Sequence, residues 1–377
     1  MSTVEVLGDE AQLDGVIEHW DALAVAARRP YCTPGWMLGW WRHVAPTGAR
    51  LRVVTVHDGP ELVAIAPLYL QRERIGLTTC RLLASRVSSR CEPLAAPGRE
   101  REVACAIAAA LADNSPAPDL VMLGAAAPDS PYPYALRESW PADRLPSLHP
   151  DRPIESPHVT LAGSTFDEWY ASKSRNFREQ IRRRRRQLER AGATFVLAAT
   201  REDAERGLRA FIELHHARWS WRGGSAVLTP QVEAMLLAAG PELVAAGRLR
   251  LWTIEVDGRA ISAHVFLGVA DEFTYWLGGF DERWAAQQPA LQTLVAAIEH
   301  AFAAGDTRLD LGAGAQPYKN RLADGRSLVR WTALLPPGPR RARARALLAA
   351  RRWRRTAVEH LPHGARRQLR RLRAPFR

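Results

Sequence analysis

The chain has 377 residues, 47% hydrophobic and 24% charged, which leaves room for two cores and lacks the polar excess of a disordered chain. Its formal charge of +12 is concentrated: Gly338–Arg377 holds 14 arginines against one acid, while residues 1–337 hold 38 basic against 39 acidic groups. The body is therefore near neutral, and any polyanion-binding role falls to local patches.

Met1–Glu10 carries acidic residues and no apolar block, so no signal or transit peptide is read there, and a cytoplasmic chain is expected. Thr33–Val44 reads as a Trp-bearing helix. Val53–Leu70 then alternates apolar residues around Asp58-Gly59, the dipeptide favoured where a two-residue hairpin turn needs positive φ. The longest small-apolar run, Val103–Ala112, falls well short of the roughly 20 residues of a membrane span. Cys32, Cys80, Cys91 and Cys105 form no CxxC pair and have no histidine companions at metal spacing; reduced thiols and no metal are expected.

Pro-rich stretches, Ser115–Pro118 and Pro128–Pro157, read as loops with a short connecting strand, and a domain boundary is placed near residue 155. Residues 173–190 come next, with nine basic groups against Glu179 and Glu189. Arg175, Arg178, Arg182 and Arg185 recur at helical spacing, with Phe177, Ile181 and Leu188 on another face. That pattern fits either a solvated charge run or a face that holds phosphates.

Ala210–Trp221 reads as a second Trp-bearing helix, and Trp252–Gly268 as a second hairpin around Asp257-Gly258. The repeated order of helix and hairpin points to an internal duplication. Glu272–Phe280 is a further strand. Pro289 opens a helix with Leu291, Leu294, Val295, Ile298, Ala301 and Phe302 on one face, Gly305 stops it, and Thr307–Leu311 returns as a strand. Strand, helix and strand in this order imply a right-handed crossover between parallel neighbours. A break at Pro336-Pro337 precedes an arginine-rich helix striped by Leu347, Ala350, Trp353, Ala357 and Leu361. An anionic membrane surface, an RNA backbone such as tRNA, or plain solvent each fits such a helix.

Five segments together resemble a known family: TPGWMLGWW with the later APLYL, SRNFREQIRRRRRQLERAG, FIELHHARWSWRG, GGFDERW and DLGAGAQPYKNR. Across residues 1–335 the chain is similar to the GNAT-type acetyltransferases grouped with the cellulose-biosynthesis CelD proteins, themselves related to Fem-type aminoacyl transferases. The resemblance implies an α/β fold of tandem GNAT-like domains with central mixed sheets flanked by helices. These would be an N-terminal unit, 1–155, and a catalytic unit, 156–335, followed by the basic tail, 336–377. It also implies acyl transfer from acetyl-CoA or another acyl-CoA, or from aminoacyl-tRNA in the Fem branch, to an amine or hydroxyl of a saccharide or envelope precursor.

Several residues are candidates for that chemistry. The helix start at Gln287, Gln288, Pro289, Ala290 and Leu291 offers free N–H groups and a positive dipole end to a CoA pyrophosphate, or is an ordinary proline-capped crossover. Ala290 stands where the relatives carry glycine. Lys319, one of only two lysines beside Lys173, follows a strand end and can offer an ammonium to the oxyanion of the tetrahedral intermediate. The Fem-type resemblance points the same way. Asp310 is read as a general base, as an orienting group for Lys319 or Tyr318, or as the cap of a turn. Tyr318 either protonates the leaving thiolate or packs. His215, Arg218 and Trp219 on one helix, with Tyr275 on the strand, are candidate acceptor contacts, as are Arg175, Arg178 and Arg182.

Overall fold

A computed structural model describes residues 2–112, 116–220, 223–314 and 316–360. In the first half, β1 (Thr3–Leu7) leads through α1 (Ile17–Ala26) and α2 (Pro34–Val44) to the hairpin β2 (Arg50–Asp58) and β3 (Glu61–Arg72), then β4 (Thr78–Leu82). After β5 (Leu94–Ala95), α3 (Glu100–Ala112) crosses to β6 (Leu120–Ala126), and α4 (Tyr132–Glu138) precedes β7 (Ser147–Pro150). The second half begins with β8 (Ile154–Thr160), α5 (Phe166–Ser172), α6 (Arg175–Arg190) and β9 (Thr194–Leu197). Helices α7 (Arg201–Ser220) and α8 (Pro230–Ala245) precede β10 (Leu249–Val256), β11 (Arg259–Val269) and β12 (Glu272–Phe280). Helix α9 (Pro289–Ala303), β13 (Arg308–Asp310), α10 (Pro317–Leu322), β14 (Gly325–Leu335) and α11 (Arg341–His360) complete the order.

The expected hairpins are present, each turning at its Asp-Gly pair, with Gly59 at φ 58° and Gly258 at φ 71°. The stretch read as proline loops, 128–157, instead contains α4 and two strands. Pro131 and Pro133 sit at the start of α4, where a missing N–H costs nothing, and Tyr132 and Leu136 are buried.

All strands join one mixed sheet, ordered β1-β2-β3-β4-β6-β14-β8-β13-β12-β11-β10-β9. In each half an antiparallel trio is followed by a parallel pair, β4 with β6 and β12 with β13, joined by α3 and α9 respectively. The last strand crosses between the halves: β8 pairs with β13 within the second half, whereas β14 leaves the second half to pair with β6 of the first. The two then pair with each other along Gly325↔His158 to Val329↔Ile154, which makes the sheet continuous.

The two parallel pairs differ in the course of the chain beyond them. In the first half the chain past β4 folds back: Leu83 N–H donates to the Pro67 carbonyl (2.9 Å) and Cys91 N–H to the Ala125 carbonyl (2.8 Å). A void of about 10 Å3 lies beside Leu82, Cys91 and Gly124. A Cβ at Gly124 would stand 2.4 Å from the Cys91 carbonyl oxygen, so this close return depends on glycine.

The same returning segment ties the halves together. Trp276 Nε1–H of β12 donates to the Val87 carbonyl (2.8 Å), and its ring meets Trp36 of α2 edge-on at 5.3 Å. Helix α11 is also attached. Ala344 and Leu348 bury against Leu77, Leu120, Ala333 and Leu335, while Arg343 donates to the Ile75 carbonyl (3.1 Å) and Arg352 lies 3.5 Å from Asp151. The buried stripe therefore runs through Ala344 and Leu348, with Leu347 half-buried. Ala350 is exposed, Trp353 is 72% exposed, and the side chains of Ala357 and Leu361 lie outside the described residues.

Gly124→Ala is expected to push the 83–93 segment out of the first cleft and lower stability by about 1–3 kcal/mol, the usual cost of overpacking. Urea denaturation measures it, and an unchanged midpoint would refute the close packing.

Candidate active site

The second parallel pair is short, and its strands part beyond it in a V-shaped cleft lined by buried side chains. Strand β12 pairs with β13 only at Glu272↔Arg308, Phe273↔Leu309 and Thr274↔Asp310. Beyond that point β13 has ended and β12 runs on to Phe280. A bulge between Tyr275 and Leu277 leaves Trp276 without a counterpart on β11 and turns its ring toward the first half. The main chain of β12 past Thr274 is thus a strand edge without β13 beside it.

Asp310 organises the vertex. Its carboxylate accepts from Ser156 Oγ (2.8 Å) and Gly312 N–H (2.7 Å), with Arg308 at 3.5 Å and Arg90 of the returning segment at 3.7 Å. Both oxygens are occupied, so the carboxylate caps the turn after β13. Gly312 takes φ 78° there, and a Cβ on it would lie 3.2 Å from the Tyr275 carbonyl oxygen.

Lys319 sits beside this turn, 5% exposed, its Nζ donating to the carbonyls of Gly312 (2.9 Å) and Ala313 (3.3 Å). An ammonium has three donors, so two carbonyls leave one N–H unassigned. Burial, only partly offset by the Asp310 charge, pushes its pKa down to about 8.

The adjacent Tyr318 faces Tyr275. The Tyr275 and Tyr318 hydroxyls are hydrogen-bonded to each other, and burial pushes Tyr318 up to about 12 and Tyr275 well above the usual tyrosine value. The Tyr275 ring packs on His264 of β11 at 5.3 Å. Gly278 makes room for both, since a Cβ there would lie 2.4 Å from the His264 ring and 2.8 Å from the Tyr275 hydroxyl. Arg218 reaches this cluster from α7, stacked over Phe280 at 4.4 Å.

His215 and Trp219 stack on α7 with ring centroids 6.0 Å apart. His215 Nδ1 lies 3.1 Å from the Gly278 carbonyl, which fixes that nitrogen as the donor. Its Nε2 accepts from Ser225 Oγ (2.9 Å), so the imidazole is committed at both ends. Burial pushes its pKa down to about 4. Gly279 lets α7 approach: a Cβ would stand 2.5 Å from the His215 nitrogen.

The start of α9 lies across α6 from this cluster. Gln180 of α6 donates to Gln288 Oε1 (2.7 Å) and accepts from Arg321 of α10 (2.5 Å), so one carboxamide joins the two elements. Gln288 takes φ 55° before Pro289, and its carbonyl accepts from Leu291 and Gln292. Pro289 is buried and Ala290 half-exposed. Gln287 lines a groove of about 970 Å3 with Glu213, Asp257, Arg259, Asp281 and Trp284.

The structure brings Lys319, Tyr318, Asp310, Tyr275, Arg218, His215 and Trp219 to the cleft. It does not bring the three α6 arginines there. Arg175 pairs with Glu179 (2.8 Å), Arg178 donates to the Ala171 carbonyl, and Arg182 stacks on Tyr170, all toward α5 or solvent. Sequence reading missed Arg90 and His264. Arg90 carries no local signal, whereas His264 does: it stands in the otherwise apolar strand AISAHVFLG, opposite Gly278. Among the described residues no cluster suits a metal ion, and no helix is long and apolar enough to cross a membrane.

Residues 175–320 match the family model described as "Acetyltransferase (GNAT) domain". No curated protein matches the chain in sequence. Among solved structures, FemX is similar at a TM-score of 0.60 and 12% identity, covering 87% of this chain and 96% of its own. A C-terminal domain assigned to lysylphosphatidylglycerol synthetase from Agrobacterium fabrum gives 0.57 at 12% identity, covering 89% and 94%. A conserved protein of unknown function from Bacteroides thetaiotaomicron gives 0.55 at 11%, covering 88% and 100%. The fold is GNAT-like α/β, and the GNAT domain matched over residues 175–320 supports a transferase.

His215 and His264, the latter pushed by burial to about 3, refuse protons that the unfolded chain binds below its ordinary histidine pKa. Stability is therefore lost as the pH falls from about 6.5 toward 4. His215→Asn keeps a donor for the Gly278 carbonyl and removes one titration. Its urea midpoint should decline less steeply than the wild type's over that window, and equal slopes would contradict the assignment.

Proposed function

We propose that the second half, residues 156–335, transfers an acyl group directly from acyl-CoA to an amine or hydroxyl acceptor, and that the first half, 1–155, is a GNAT-like unit without an open cleft. One observation carries the reading: β12 and β13 part after three paired residues, without the returning segment that fills the counterpart in the first half, and Lys319 and the tyrosine pair lie beside the parting. A bare strand edge pairs with an extended ligand arm carrying amides, as the pantetheine of CoA does. The start of α9, from Gln287 to Leu291, would then face the pyrophosphate. An acceptor of saccharide or envelope type accords with the resemblance to the CelD group.

The chemistry needs three services. The acceptor heteroatom attacks the thioester carbonyl, and its proton leaves to solvent through the open cleft. The remaining N–H of the Lys319 ammonium stabilises the tetrahedral oxyanion. As that intermediate collapses the C–S bond breaks, and Tyr318, neutral at physiological pH, gives its proton to the thiolate. With Tyr275 as the donor of the hydrogen bond that links the two hydroxyls, the phenolate left on Tyr318 is stabilised. Asp310 serves by holding the turn that carries the Lys319 carbonyl partners.

Lys319→Met is expected to lower acyl-CoA-dependent thiol release about 100-fold, the scale of losing one oxyanion donor. In the wild type, kcat/KM should fall as the pH rises through about 8, where Lys319 loses its proton, and this limb should be absent from the variant. A full-rate Lys319→Met enzyme, or a rate flat to about pH 10, removes Lys319 from the mechanism.

A further inference from the structure

The cleft holds a cation that the protein leaves without a counter-ion. Arg218 stacks on Phe280, its Nε is buried with no hydrogen-bond partner, and no carboxylate is paired with it among the described residues. Its positive charge bears on the groups around it: it contributes to lowering His264 and opposes the rise of Tyr275 and Tyr318. His264, 2% exposed, likewise buries an Nδ1 with no partner. Several other half-buried arginines of this chain do meet a carboxylate: Arg29 pairs with Glu92 at 2.6 Å, Arg250 with Asp306, and Arg308 and Arg90 with Asp310.

A half-buried guanidinium without a partner destabilises a fold unless something binds it. The surrounding groups are suited to an anionic oxygen group: a planar fork of N–H donors, two neutral tyrosines and a neutral imidazole. We propose that Arg218 seats an anionic group of the acceptor, a carboxylate or a phosphate, with His264 beside it, and so holds the acceptor against Tyr275 and Tyr318. That the anion belongs to an acceptor rests on the acyl-transfer reading; the anion site itself does not. Seating the charge there gives specificity, because a neutral analogue leaves the guanidinium unpaired.

The test is thermal melting of the full chain with inorganic phosphate, succinate or chloride at matched ionic strength. Wild type should gain about 2 °C when phosphate or succinate reaches roughly ten times its dissociation constant, and the more effective of the two names the acceptor's anion. Arg218→Gln should gain nothing from either, and without added anion it should melt no lower than wild type, since it loses an unpaired buried charge. Equal protection by chloride, undiminished protection of Arg218→Gln, or a destabilised or unfolded Arg218→Gln each overturns the proposal, the last by showing that Arg218 is structural. Phosphate or succinate protection in a protein that binds no acyl-CoA would keep the anion site and instead remove the acyl-transfer reading.

Discussion

The parting of β12 from β13 after three paired residues is the constraint on which the site depends. A parallel strand must satisfy its N–H and C=O groups along its whole length or meet water or a ligand where its neighbour stops. Here the neighbour stops because Asp310 caps the turn after β13, and Gly312 then carries the chain aside at positive φ. The vertex is rigid because both Asp310 oxygens are occupied by Ser156, the Gly312 N–H and two arginines. Lys319 closes the turn from the other side through the Gly312 and Ala313 carbonyls. A carboxylate so engaged is a scaffold, and the lysine beside it, lowered by burial, is the group with a donor to spare.

The two halves place the same arrangement under different conditions. In the first, the chain after β4 doubles back beside β6; in the second, the chain after β12 goes on to α9 without such a return. The returning segment also serves the site in the second half, because Arg90 reaches Asp310 and the Val87 carbonyl accepts from Trp276. The crossing of β14 makes this geometry hard to loosen. It pairs with β6 of the first half and β8 of the second, so separating the halves would expose a sheet edge.

Much of the frame was legible in sequence because its signals are local. Asp-Gly pairs marked both hairpins, and Pro289, the apolar spacing after it and Gly305 bounded the crossover helix. The cleft was only partly legible. Lys319, Tyr318 and Tyr275 could be named from their strand ends, but the pairing of Asp310 with Arg90 joins residues 220 positions apart, and no local pattern encodes it. The charge density of the α6 arginines is visible in sequence, whereas their contacts with Glu179, Ala171 and Tyr170 are not. Proline content misled between residues 128 and 157, since two prolines at a helix start read the same as two in a loop.

The distribution of cations gives the last step. The chain uses arginine almost everywhere, and within the body many of these guanidiniums meet a carboxylate, a carbonyl or a ring. At the cleft the two habits change together. Position 319 is a lysine, compact enough to bury between two carbonyls and able to lose its proton near neutral pH, which a guanidinium does not do. Position 218 is an arginine with its Nε buried and unbonded, beside a histidine in the same condition. Polar groups left unmatched inside a protein lower its stability, and selection for folding alone would replace them. Their meeting beside the short parallel pair β12 and β13 is what favours this cleft as the seat of a charged reaction partner in the proposed reaction.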